Sequence, residues 1–243
     1  MMSARVLRFH SPEELAEGAA RQLLARLVEV QRSRGEANLC LTGGRVANSI
    51  YQSFAGQVEG SELDPSQLHL WWGDDHYVGL TDPDRNAIQS LSILARTLHL
   101  SRAQTHPMPG SDAHADADEA AFSYARELGD TLFDVCLLGM GEDGHVASIF
   151  PEHPSMDPTT ATVIGVSDAP KPPSDRISLT LNAINRSRSV WLLVTGEAKA
   201  ESVARALGGD WFLPAARVKG TVETLWFLDA AAASLLPRFN CLL

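Results

Sequence analysis

Short apolar runs recur along this chain, and each breaks abruptly at a glycine- or aspartate-rich turn. Residues 39–41 stop at Thr42-Gly43-Gly44, and residues 68–72 stop at Gly73-Asp74-Asp75-His76. Residues 133–138 run into Gly139, and residues 190–194 end just before Gly196. Runs this short, mostly apolar rather than strictly alternating, suit strands buried on both faces. Helical periodicity fills the intervals. Ser11-Pro12-Glu13-Glu14 is a helix start, with Ser as N-cap and Pro at the first helical position. Leu15, Ala19, Leu23, Leu27 and Val30 then recur on one face until Gly35. Residues 46–54, 86–98, 113–128 and the stretch from Gly196 through Leu207 read as further helices. Residues 162–166, 177–181 and 224–228 are the remaining strand candidates. Six prolines between Pro151 and Pro173 make that segment mostly irregular and a candidate lid. Strands alternating with helices predict an α/β fold: a mostly parallel sheet flanked by helices on both faces, an open Rossmann-like sandwich. Residues 1–243 are expected to form one such domain.

The 243 residues are about 44% hydrophobic, ordinary for a globular chain with a real core. No run approaches the roughly 18 unbroken apolar residues of a membrane span. The opening stretch lacks the apolar region of a secretory signal, so a cytoplasmic location is expected. Cys40, Cys136 and Cys241 have no C-x-x-C spacing; Cys40 and Cys136 sit in apolar runs and read as small buried hydrophobes. A formal net charge of −10 with no basic stripe argues against a nucleic-acid partner. An anionic small molecule would need a local basic pocket.

Four polar or glycine-rich turns follow predicted strands directly: Thr42-Gly43-Gly44, Asp74-Asp75-His76, Gly139 to His145, and Gly196 to Lys199. In a parallel sheet they would share the rim beyond the strands' carboxyl ends, where ligands bind. The third turn contains Gly139-x-Gly141-x-x-Gly144, the spacing of a dinucleotide loop. Its interior is Glu142-Asp143, and two carboxylates would repel a pyrophosphate. The motif also comes late in the chain. The glycines are better read as a tight turn, backed by a short helix, that carries Asp143 and His145 to the rim. An imidazole there suits general acid–base work near neutral pH. Asp143 could orient it or bind substrate hydroxyls. The acidic residues Asp74, Asp75, Asp82 and Asp84 fit no metal-loop spacing, and 114–118 reads as a helix start.

The stretch from Phe133 to Pro151, FDVCLLGMGEDGHVASIFP, resembles the central motif of the 6-phosphogluconolactonases, FDLxLLGMGxDGHxASLFP. Weaker likenesses extend from about residue 39 to 228: Leu41-Thr42-Gly43-Gly44 is similar to the family's phosphate loop, and Trp72 to Val78 to its Asp-Glu-Arg segment. Arg85-Asn86, Arg176 to Thr180, and Gly196 to Ala200 are similar to later motifs. The resemblance implies hydrolysis of 6-phosphoglucono-δ-lactone to 6-phosphogluconate in the oxidative pentose phosphate pathway. It implies no metal and no organic cofactor, with a sugar-phosphate lactone as the small-molecule partner; neither a nucleic acid nor a membrane is expected as a partner, and of the oligomeric states, which the sequence leaves open, a monomer is the expectation. It implies that His145 activates water, with Asp143 and Asp74 beside it. Thr42, Gly43, Gly44, Arg45, His76, Gly141, Arg176 and Lys199 would contact substrate, with the phosphate against Gly43-Gly44 and the following helix.

Two departures stand out. Arg45-Val46-Ala47 replaces the family's Ser-Thr-Pro, and His76 replaces its arginine. Arg45 could restore the fixed charge. For His76, acidic neighbours would raise its pKa and burial would lower it. The rival readings are a glucosamine-6-phosphate deaminase-like isomerase and a non-catalytic sugar-phosphate-binding protein. The deaminase loop continues Ile-Ala-Phe-Asn-Glu-Pro, whereas Val146-Ala147-Ser148-Ile149-Phe150-Pro151 here favours the lactonase.

Overall fold

The structure is a computed structural model that describes residues 4–237. In chain order the elements are β1 (Arg5–Phe9), α1 (Pro12–Arg34), β2 (Ala37–Leu41), α2 (Arg45–Val58), β3 (Leu68–Trp72) and β4 (Asp74–His76). Next come α3 (Asn86–Leu98), β5 (Thr105–His106), α4 (Ala117–Leu128), β6 (Val135–Gly139), β7 (Val163–Val166) and β8 (Arg176–Leu179). The last are α5 (Leu181–Ile184), β9 (Ser189–Val194), α6 (Ala200–Leu207), α7 (Pro214–Arg217) and β10 (Glu223–Asp229).

Seven strands form one parallel sheet in the order β1-β10-β9-β6-β2-β3-β5. From β1 the chain passes through β2 and β3 to β5, travelling one way, with α1, α2 and α3 packed side by side. It then returns through α4 to β6 and continues to β9 and β10 in the opposite direction. Crossovers between parallel strands are right-handed, so a reversal of direction moves the helices to the other face. The sheet is therefore covered on both sides, which is why β6, β9 and β10 are apolar along nearly their whole length. Cys40 and Cys136 are in-register partners on β2 and β6, both buried free thiols; Cys241 lies outside the described residues. Among the described residues no helix is long and apolar enough to cross a membrane.

The helix ends follow the sequence signals. Ser11 accepts the Glu14 N–H at 3.2 Å, and Gly35 takes φ 88° at the other end of α1. The helix expected from residue 113 begins later, because Asp116 caps it by accepting the Glu119 N–H at 2.8 Å. Three expectations are corrected. Residues 74–76 form a strand rather than a loop, pairing antiparallel with β8 in a second sheet, β4-β8-β7. No helix follows Gly144: the chain makes turns closed by a Val146–Ile149 bridge. Leu181, expected to end a strand, instead opens α5. Strands β1 and β5 had no counterpart in the sequence reading.

One buried ion pair joins the two sheets to α3. Asp75 on β4 and Arg85 at the N-cap of α3 are 0% and 1% exposed and 3.0 Å apart. α3 has no cap from its own N-cap side chain. Asp75 replaces it, accepting the N–H groups of Asn86 at 2.7 Å and Ala87 at 3.4 Å, and that of His76 at 3.0 Å. Arg85 also donates to the carbonyl of Met108. Burial raises the Asp75 pKa to about 6, against the opposing pull of Arg85 and the amide donors. A raised carboxyl contributes its stability in full below its unfolded value of about 3.8 and loses it as the pH rises through about 6. Arg85→Leu is therefore expected to cost about 3–5 kcal/mol at pH 7.5, because it leaves a buried carboxylate unpaired. Urea unfolding should show a smaller loss at pH 5, where Asp75 holds a proton. An equal loss at both values would mean that Arg85 does not balance the Asp75 charge.

Candidate active site

The four turns named from the sequence meet at the carboxyl ends of β2, β3, β6 and β9. They enclose a cavity of about 340 Å³, within the range of small-ligand sites. It lies at the switch point of the sheet, where crossovers leave β2 in one direction and β6 in the other. Thr42, Gly43, Gly44, Arg45, Asp74, His76, Gly141, His145, Arg176 and Lys199 all line it. Asp143 is the one named residue that does not. It stands behind His145.

Close packing of backbone explains the glycines. A Cβ on Gly43 would lie 1.8 Å from Asn86 Oδ1. Gly44 adopts φ 100° as the N-cap of α2, with no side chain covering the first N–H groups of that helix. Thr42 ties the two central loops together, its hydroxyl accepting the Gly139 N–H at 3.3 Å. Gly144, at φ 81°, turns the chain so that Asp143 and His145 face each other.

His145 Nδ1 lies 2.5 Å from Asp143 Oδ1. Burial alone would raise the Asp143 carboxyl, but the hydrogen bond and charge of His145, with Lys171 3.8 Å away, outweigh it and hold the pKa at about 2. An ionised carboxylate can only accept, so Nδ1 is the donor, and in the neutral ring the lone pair is on Nε2. The ring also packs on Phe150, with centroids 4.7 Å apart.

Asp74 is buried and held by two donors, Ser148 Oγ at 2.9 Å and the Asn86 amide at 3.5 Å. Arg176 lies over the Phe150 ring at 5.7 Å and donates to the carbonyls of Pro173, Lys171 and Pro172. It therefore fixes the proline-rich segment as well as lining the cavity. His76 is half-buried beside it in the β4–β8 register. Burial, then the Arg176 guanidinium, push the His76 pKa below the usual imidazole value, and Asp74 does not offset them. Burial thus wins over the acidic neighbours. Burial also lowers the Lys199 ammonium, opposed by Glu142 and reinforced by Lys171 and Arg45. A cavity holding Arg45, Lys171, Arg176 and Lys199 in a chain of net charge −10 is built for an anion. Among the described residues, no three His, Cys, Asp or Glu side chains are grouped to hold a metal ion.

Sequence reasoning missed Lys171 and Ser148 and gave no role to Asn86. Lys171 carried no signal of its own; it is one of the chain's three lysines, two of which line this cavity.

Residues 10–226 match the family described as glucosamine-6-phosphate isomerases/6-phosphogluconolactonase. A 6-phosphogluconolactonase of Streptomyces coelicolor is 46% identical over 244 residues, covering 94% of each chain. One from Mycobacterium tuberculosis is 40% identical over 97% of this chain and 100% of its own. In solved structures, the 6-phosphogluconolactonase of Trypanosoma brucei superposes with a TM-score of 0.87 at 24% identity, covering 98% of this chain and 100% of that one. A monomeric glucosamine-6-phosphate deaminase shares the fold at a TM-score of 0.79 and 22% identity, over 95% and 99% of the two chains. The chain belongs to the 6-phosphogluconolactonases, the lactone hydrolases of that superfamily.

The packing generates a direct test. A Cβ on Gly141 would lie 2.1 Å from His145 Nδ1 and 2.5 Å from Asp143 Oδ1. Gly141 is not in left-handed backbone, so the obstacle is steric alone. Gly141→Ala is expected to part the pair at a cost of about 1–3 kcal/mol in stability. Nitrogen NMR of the His145 ring should lose its hydrogen-bonded Nδ1 proton signal. A retained signal in the folded variant would show that the loop yields instead.

Proposed function

We propose that this protein hydrolyses 6-phosphoglucono-δ-lactone to 6-phosphogluconate, with His145 as the base that activates water. The single observation that carries this is the 2.5 Å contact of Asp143 with His145 Nδ1, which leaves Nε2 free at a cavity lined by cations. His145 Nε2 takes a proton from water as the water oxygen attacks the lactone carbonyl carbon. Negative charge develops on the carbonyl oxygen, where Arg176 or backbone N–H groups stabilise it. The ring C–O bond then breaks, and the imidazolium returns its proton to the departing oxygen. Asp143 keeps the ring in one tautomer and balances the cation through both steps. Asp74, fixed by Ser148 and Asn86, faces the substrate hydroxyls.

The phosphate lies against Gly43-Gly44 and the open first turn of α2, where N–H groups and the helix dipole favour an anion. Lys199 and Arg45 supply its countercharge. Arg45, at the first position of α2, takes the place that hydroxyl side chains fill in the resembling pattern. His76, neutral near pH 7, leaves that fixed charge to Arg45.

His145→Ala is expected to leave the fold intact and to lower kcat by about 10²–10⁴. The assay is acid release from freshly generated 6-phosphogluconolactone, corrected for spontaneous hydrolysis. Near-normal turnover in a folded variant would remove His145 from the role. Lys199→Ala should weaken use of the phosphorylated lactone by about 1.5–3 kcal/mol in kcat/KM. Unphosphorylated glucono-δ-lactone is the control, and equal losses on both substrates would show that Lys199 does not read the phosphate.

A further inference from the structure

Two nitrogen donors converge on one oxygen of Asp143. His145 Nδ1 lies 2.5 Å from Oδ1, and Lys171 Nζ lies 3.8 Å from the same atom. Lys171 arrives from the proline-rich segment, and its backbone does not float: Arg176 donates to its carbonyl at 2.9 Å and to those of the next two residues. The side chain is about half exposed. An anchored stem therefore carries an ammonium that is free to change partners. The same residue lines the cavity with Lys199 and Arg45.

We propose that Lys171 is a positioning residue that couples occupancy of the phosphate site to the basicity of His145. With the cavity empty it rests on Asp143, and when a phosphoryl group enters it transfers to that group. This rests on the reading of the cavity as a site for a phosphorylated lactone. A carboxylate shared with an ammonium attracts an imidazolium less than one that is not shared. Departure of Lys171 gives Asp143 wholly to His145, which strengthens the base once substrate is seated. A phosphate dianion outcompetes a single carboxylate for the ammonium because it carries more charge and lies among Lys199 and Arg45.

The other charges around His145 do not make this move. Arg176 faces it across Phe150 but is bound to three carbonyls. Asp74 is held by Ser148 and Asn86, and Lys199 is partly buried near Glu142. His76 is neutral near pH 7. Lys171 is the mobile charge beside the pair.

Lys171→Met tests the coupling, with Lys171→Arg as the charge-keeping control. The His145 ring is titrated by NMR in each protein, with and without inorganic phosphate. Without phosphate, Lys171→Met is expected to raise the proton affinity of His145 by about 3- to 10-fold, the size of one charge a few ångströms away in a half-exposed site. Phosphate should then raise it less in Lys171→Met than in the wild type, and Lys171→Arg should follow the wild type. In parallel, the ratio of kcat for the phosphorylated over the unphosphorylated lactone should fall in Lys171→Met and recover in Lys171→Arg. If the wild type hydrolysed neither lactone above the spontaneous rate, the enzymatic reading itself would fail. If it hydrolysed the phosphorylated lactone while His145 titrated identically in wild type and Lys171→Met, the coupling would be overturned.

Discussion

The parallel seam between β2 and β6 is the constraint on which the site depends. Each strand must send its chain away from the other, because the crossovers that follow run in opposite directions. The loops above the seam are forced apart, and the gap between them is the cavity. Thr42 spans the gap with one hydrogen bond to Gly139. Gly43 lets Asn86 approach from the far side, where no larger residue would fit. Below this opening the strands are largely apolar, and the side chains that face the cavity come from the rim.

Electrostatics at that rim are arranged in two layers. The cavity wall carries four cations, drawn from α2, β8, the proline-rich segment and the turn before α6, against the two carboxylates Asp74 and Glu142. Three carboxylates within or behind it are each held by a donor: Asp143 by His145, Asp74 by Ser148 and Asn86, and Asp75 by Arg85. A long-range field of the acidic surface opposes an anionic ligand, and the wall reverses it over the last few ångströms, within about one Debye length.

The buried strands and three of the four rim turns were legible because parallel strands leave mostly apolar runs that end sharply. The rest failed for local physical reasons. β1 is an edge strand, partly exposed, and Arg5 and Arg8 interrupt its apolar pattern. β5 has two residues, too few to carry any period. β4 reads Asp-Asp-His, the composition of a loop, because its side chains serve the site and the cap of α3 rather than an apolar core. The glycine spacing after β6 suggested a helix behind the loop, yet Ala147 at φ 49° and the Val146–Ile149 bridge fold the chain back instead. The positions of His145 and Lys199 could be anticipated from turns that follow strands, and that of Arg176 from the family likeness alone. Lys171 could not, since its place depends on Arg176 gripping a segment that has no periodic structure. His76 needed coordinates for another reason: the balance between burial and its acidic neighbours depends on depth, which the sequence does not record.

The sheet order gives the chain an unusual history in time. β1, the first strand to leave the ribosome, pairs only with β10, the last. At synthesis rates of about 5–20 residues per second, it waits on the order of ten seconds or more for its partner. During that interval β2 and β3 can form a nucleus, while the amino-terminal strand remains an unpaired edge. Closing the sheet joins β1 to β10 across more than 200 residues, a long-range pairing of the kind that slows folding. Until β10 is made, β1 is the strand of this sheet left open to wrong pairing.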